Sequence, residues 1–158
     1  MSENILEVGN LSFSYDKNLP DTFTDINFKV KSGEIFVILG ANGAGKSTLL
    51  NCVTGNLSGY RGEIILHGKN LKDVPINDRA RIMGYVPQLS MPAFNYTVRD
   101  YVVMGRAPYI GLMGTPGPDE YAIADEVISQ MNIEKLSGKY ITRISGGERQ
   151  QVQIAKVL

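Results

Sequence analysis

Apolar and polar residues alternate from the start of the chain. Leu6 and Val8, then Leu11, Phe13 and Tyr15, alternate with polar residues, which predicts a half-buried strand ending at the turn-forming Asp16, Lys17, Asn18 and Pro20. Ile26, Phe28 and Val30 repeat the alternation up to the turn Lys31-Ser32-Gly33-Glu34, so two antiparallel strands precede the unbroken apolar run Ile35-Phe36-Val37-Ile38-Leu39. That run predicts a buried strand leading into a glycine-rich turn and a helix. Farther on, Glu63-Ile64-Ile65-Leu66 predicts a short strand closed by the turn His67-Gly68-Lys69-Asn70, residues 79–83 a short helix, and residues 84–88 a strand stopped by Pro87. Thr97 is placed to cap a helix through Val98, Tyr101, Val102 and Met104. The four glycines and three prolines of residues 105–118 predict a loop, and residues 119–131 an amphipathic helix with Ala122, Ile123, Val127, Ile128 and Met131 on one face. Ser145 with Glu148 three residues on forms a capping box, and Val152, Ala155 and Leu158 give the apolar side of the helix that follows.

The turn after Leu39 reads Gly40-Ala41-Asn42-Gly43-Ala44-Gly45-Lys46-Ser47-Thr48, the spacing of a phosphate-binding P-loop. Its three glycines admit conformations closed to other residues and let successive backbone N–H groups converge on an anion. Lys46 adds a point charge among the β- and γ-oxygens, Ser47 a hydroxyl for Mg²⁺, and the helix start the positive end of its dipole. These features point to a nucleoside triphosphate site. Gly146, Gly147, the Ser145 hydroxyl and the next helix start form a second candidate anion site, though a plain capped helix with a flexible entry would carry the same residues. Tyr15 also has two readings, an aromatic face for an adenine ring or a strand-end core tyrosine, and periodicity does not separate them. Gln88, where a strand gives way to a loop, could ligate Mg²⁺ through its amide oxygen or hold a water.

Composition narrows the classes. Among 158 residues, sixteen basic side chains balance sixteen acidic ones, which gives no support to a nucleic-acid partner or an anionic membrane surface. The single cysteine, Cys52, excludes an internal disulfide and sits among Leu49, Leu50 and Val53 as a buried helix residue would. His67, the only histidine, lies in a turn without ligand-spaced partners and reads as a solvated loop residue. No segment is long and apolar enough to cross a bilayer and the N-terminus is no signal peptide, so a soluble, cytosolic chain is expected.

Together these residues resemble the ATP-binding subunit of an ABC transporter over essentially the whole chain. The resemblance implies an α/β P-loop NTPase fold truncated before the Walker B strand, with residues 1–88 forming an antiparallel β subdomain and P-loop core and residues 89–158 a helical signature subdomain. It implies that Tyr15 stacks on adenine and that Gly40, Asn42, Gly43, Ala44, Gly45, Lys46, Ser47 and Thr48 hold the phosphates of ATP. Ser47 and Gln88 would hold Mg²⁺, Lys46 and Gln88 would serve catalysis, and Ser145, Gly146, Gly147 and Glu148 would close on nucleotide bound by a second, head-to-tail copy. The signature departs mildly from the commonest form, with Ile144 for leucine and Glu148 for glutamine. The run Val103-Met104-Gly105-Arg106-Ala107-Pro108-Tyr109-Ile110-Gly111, with Gly146 to Gln150, resembles importers of iron-siderophore complexes, haem and cobalamin. A transmembrane permease would dock on the segment from Gln88 through the Thr97 helix, with Tyr96 and Tyr101 as candidate contacts, and would hold the subunit on the inner face of the membrane. Walker B, the catalytic glutamate and the switch histidine are not in the sequence, which implies a fragment with little ATP hydrolysis and an open central sheet edge prone to pair with another chain. Two other readings remain: a soluble, non-transport ABC ATPase, and a nucleotide-binding, non-catalytic module.

Overall fold

A computed structural model describes residues 3–88, 94–111 and 114–158. The chain divides into two compact units, Met1–Arg79 and Ala80–Leu158.

The first unit is built on an antiparallel sheet in the order β2-β1-β3-β4, with β1 at Asn4–Phe13, β2 at Phe23–Lys31, β3 at Arg61–Leu66 and β4 at Lys69–Asn70. The alternation along β1 changes phase, from even positions at Leu6 and Val8 to odd ones at Leu11 and Phe13. The structure gives the reason: the register shifts between Val8 and Leu11 against β2 and between Gly9 and Ser12 against β3, and Asn10 takes a φ of 47°. This bulge inserts one residue and returns the apolar side chains to the same face, so that Val8, Leu11 and Phe13 are all buried. β3 and β4 are joined through His67 and Gly68, both at positive φ, as a two-residue hairpin demands. His67 is exposed in that turn, the solvated position expected of it. The helix α1, Lys46–Val53, buries Leu49, Cys52 and Val53.

Burial pushes the Cys52 thiol up from its ordinary 9.0 to about 11. A folded value above the unfolded one leaves this contribution complete below about pH 9 and removes it as pH rises toward 11, where only the unfolded thiol is ionised. At pH 8 the native thiol is expected to react with a disulfide reagent at least tenfold more slowly than the urea-unfolded one. Equal rates would place Cys52 outside the core.

The sequence expectation fails at the central strand. Residues 35–39 form no helix and join no ladder, with Ile35 91% and Leu39 87% exposed. A run that is apolar on both faces becomes a buried strand only between neighbouring strands, and among the described residues none pairs with it. Its ring contact is Phe36 stacked on Phe28, centroids 4.8 Å apart. Residues 84–88, also expected as a strand, likewise join no ladder among the described residues, and Pro87 could not donate to one.

The second unit packs α3 (Val98–Val103), α4 (Pro118–Gln130) and α5 (Gly146–Val157) around Val98, Val102, Ile128, Ile141, Val152 and Ala155. Helix α2, Ile76–Ile82, spans the division between the units. Thr97 caps α3 as expected, its hydroxyl accepting from the Asp100 N–H at 3.1 Å. The predicted loop at residues 105–118 begins as 3-10 turns over Met104–Tyr109, and its residues 112–113 lie outside the described residues.

Helix α4 presents a different stripe from the predicted one. Ala124 and Ile128 are buried, Tyr121, Val127 and Met131 are half-buried, and Ala122 and Ile123 are exposed. Its inward face is the one packed on α3 and α5, and polar contacts accompany it. Arg99 donates twice to Asp125, at 2.6 Å each, and lies over the Tyr121 ring, whose hydroxyl donates to Asp100 at 3.2 Å. On α5, Val152 and Ala155 are buried as expected, but Gln153 takes the third buried place and Leu158 is exposed. Tyr101, a candidate permease contact, is a core residue beneath the Lys156 ammonium, and Tyr96 packs half-buried against the same core. Residues 89–93 of the expected docking segment lie outside the described residues.

Candidate functional site

The glycine-rich turn forms in the conformation its composition demands. Gly43 and Gly45 take φ values of 82° and 84°, in the left-handed region open to glycine at least cost. The Ala44 N–H donates to the Ala41 carbonyl at 3.2 Å, and the first α1 bond runs from the Leu49 N–H to the Gly45 carbonyl at 2.8 Å. Gly45 caps α1 with no side-chain bond and no acidic residue in the first turn, so the N–H groups there keep the unmet capacity that binds anions. Lys46 folds back across the loop and its Nζ donates to the Gly40 carbonyl at 2.8 Å and to Ala41 at 2.6 Å. An ammonium has three N–H groups, so two can fix the loop while the third meets an anion. Asn42, Gly43, Ala44 and Ser47 are exposed or half-buried on this turn, with Ser47 next to the lysine as a candidate metal-ligand hydroxyl.

Tyr15 is brought to the same place. Its hydroxyl lies 3.0 Å from Thr48 Oγ1, thirty-three residues away in sequence, and its ring stands edge-on to Phe13 with centroids 5.0 Å apart. At 64% exposed it is not the core tyrosine of the second reading.

The second unit carries the other candidates. Gln88 follows Pro87 at the end of the described segment. At α5 the capping box forms in both directions: the Ser145 N–H donates to Glu148 Oε2 at 2.7 Å and the Glu148 N–H to Ser145 Oγ at 3.3 Å. The bonds from Ser145 hold the Glu148 carboxyl below its usual range. Gly146 and Gly147 are exposed at this helix tip. Arg149, to which the sequence assigned no role, donates to the carbonyls of Ile141 and Ile144, both at 3.3 Å, and so fixes the approach to the tip. The only hint in the sequence is its place one turn after Ser145. Replacing Ser145 by alanine removes the cap acceptor and is expected to cost about 1 kcal/mol in urea unfolding. No change would mean that the box does not hold the helix start.

Comparisons with known proteins give the family. A family model described as ABC transporter matches residues 23–158. The chain belongs to the ABC transporter family. A probable iron chelatin transport ATP-binding protein of Helicobacter pylori is 36% identical to this ABC chain over 155 residues, covering 98% of the chain and 60% of the relative. A hemin import ATP-binding protein of Gloeobacter violaceus is 38% identical over 133 residues, covering 84% and 48%. Among solved structures, cbiO1 of Clostridium perfringens, part of the ABC transporter complex cbiONQ, superposes with a TM-score of 0.77 at 30% identity over 98% of the ABC chain and 61% of its own. A nucleotide-free ATP-binding cassette of an ABC transporter gives 0.84 over 99% and 65%; at 20% identity it bears on the fold alone. The chain thus spans about 60% of the length of the first of these relatives. Among the described residues no helix is long and apolar enough to cross a membrane.

Proposed function

We propose that this ABC chain is the nucleotide-binding part of an ATPase subunit that powers an importer of a metal chelate, such as an iron-siderophore complex. The observation that carries the nucleotide reading is the Lys46 ammonium folded across a loop whose glycines sit at positive φ, before a helix start with no side-chain cap. The turn from Gly40 to Gly45, with Lys46, Ser47 and Thr48, would take the phosphates of ATP, and Tyr15 the adenine. The Ser47 hydroxyl, next to Lys46 on the same turn, would take Mg²⁺, which would neutralise charge on the phosphates. Gln88 would serve as a ligand to metal or water, as the family resemblance implies. The substrate class rests on the names of the relatives from Helicobacter pylori and Gloeobacter violaceus.

Two copies would work head to tail, with Ser145, Gly146, Gly147 and Glu148 of one closing on nucleotide held by the other. A γ-phosphate bridging both copies would favour the closed pair, and its departure would let the pair open; that difference in binding energy is what drives the switch. Permease subunits would hold the pair at the inner face of the membrane. Deleting the gene is expected to stop growth on a ferric chelate as sole iron source, with recovery when the complete gene is restored. Growth unaffected by the deletion would remove the importer reading and leave the nucleotide site to be judged by titration.

A further inference from the structure

Tyr15 and Thr48 are joined in a way that phosphate binding alone does not require. The loop between β1 and β2 is closed by the Thr22 N–H donating to the Phe13 carbonyl at 2.7 Å, and braced by Ser14 Oγ donating to the Leu19 carbonyl at 3.1 Å and the Asn18 N–H to Asp16 Oδ1 at 2.9 Å. It also lies against the P-loop, since a Cβ at Gly45 would stand 3.0 Å from Thr22 Cγ2 and 3.2 Å from the Thr22 carbonyl oxygen. From this braced base the Tyr15 ring reaches across to α1. Thr48 is only 7% exposed, and the Tyr15 hydroxyl is the hydrogen-bond partner of its Oγ1. A buried hydroxyl without a partner is costly, so the tyrosine meets a need of Thr48.

The same hydroxyl stands in the first turn of α1, two residues from Lys46, where an anion is favoured. A phosphate oxygen there is a stronger acceptor than a neutral phenol. We infer that Tyr15 is a latch: its hydroxyl holds Thr48 until a phosphate oxygen takes its place, and the freed ring then turns to the base. This rests on the P-loop reading above and adds a regulation of that site. Release of the ring is tied to arrival of the phosphates, so a ligand with both a polyphosphate and an aromatic base engages both halves, while a bare polyphosphate engages one.

Inorganic tripolyphosphate and ATP, each with Mg²⁺, separate the two halves. In equilibrium titrations Tyr15→Phe and Tyr15→Ala are both expected to bind tripolyphosphate about three- to tenfold more tightly than the unsubstituted chain, because one neutral hydrogen bond no longer has to be broken. With ATP the effects divide. Tyr15→Phe keeps the ring and binds more tightly, whereas Tyr15→Ala loses the stacking surface and binds about tenfold more weakly. Tripolyphosphate affinity unchanged or lowered in both variants overturns the latch while leaving the P-loop reading intact. If the unsubstituted chain binds neither ligand, the P-loop reading fails and the latch with it. Both variants leave the buried Thr48 hydroxyl without this partner and are expected to melt slightly below the parent chain, by the loss of one neutral hydrogen bond.

Discussion

Replacing Lys46 by alanine is expected to lower the affinity for an ATP analogue about ten- to a hundredfold while leaving the fold intact. With two of its N–H groups on loop carbonyls, Lys46 has one for a phosphate oxygen, and a charge-assisted hydrogen bond of that kind is worth about 1.5–3 kcal/mol. The structural cost is small by comparison. The Lys46 bonds to Gly40 and Ala41 lie at the surface, and their loss should cost about 1 kcal/mol or less in urea unfolding. Lys46→Arg sharpens the test, because a planar guanidinium cannot place a compact charge where two loop carbonyls and an anion meet. It too is expected to bind poorly. Undiminished binding by Lys46→Ala would show that nucleotide goes elsewhere.

A large loss of stability is expected at Gly62, far in sequence from that loop. Its φ is 90°, and a Cβ there would overlap the carbonyl oxygens of Asn10 and Gly9, the backbone of the β1 bulge. Gly62→Ala therefore meets two penalties, the left-handed conformation at about 1–2 kcal/mol and overpacking at about 1–3 kcal/mol. A loss of about 3 kcal/mol in urea unfolding is a large share of the ~5–15 kcal/mol that holds a domain together. Gly33→Ala is the control. Gly33 has a φ of 76° but nothing within 4 Å of a Cβ, so only the conformational cost of about 1 kcal/mol applies. Equal losses at the two positions would mean that the bulge does not press on Gly62.

Local features were legible in the sequence because their causes are local. The P-loop turn could be read because glycine spacing alone admits its left-handed residues, and the α5 start because Ser145 and Glu148 lie three residues apart. The phase change between Val8 and Leu11 passes for plain alternation in the sequence, and the register shifts on folding show it to be a bulge. What escaped depends on distant partners. The run at residues 35–39 reads as a strand from composition, but a strand needs neighbours, and the sequence does not say which segments lie beside it. The α4 stripe was misplaced because the buried face is chosen by the α3 and α5 residues packed on Ala124 and Ile128, which the periodicity of α4 alone does not contain. Tyr15 stayed ambiguous for the same reason, since its partner Thr48 is brought near only by folding.

Backbone amide shifts on adding a nonhydrolysable ATP analogue with Mg²⁺ test the central claim most directly, because the loop amides themselves are the proposed ligands. The largest shifts are expected at Gly43, Gly45, Lys46, Ser47 and Thr48, saturating together. Saturable shifts confined to other segments, or none at millimolar analogue, would contradict the account.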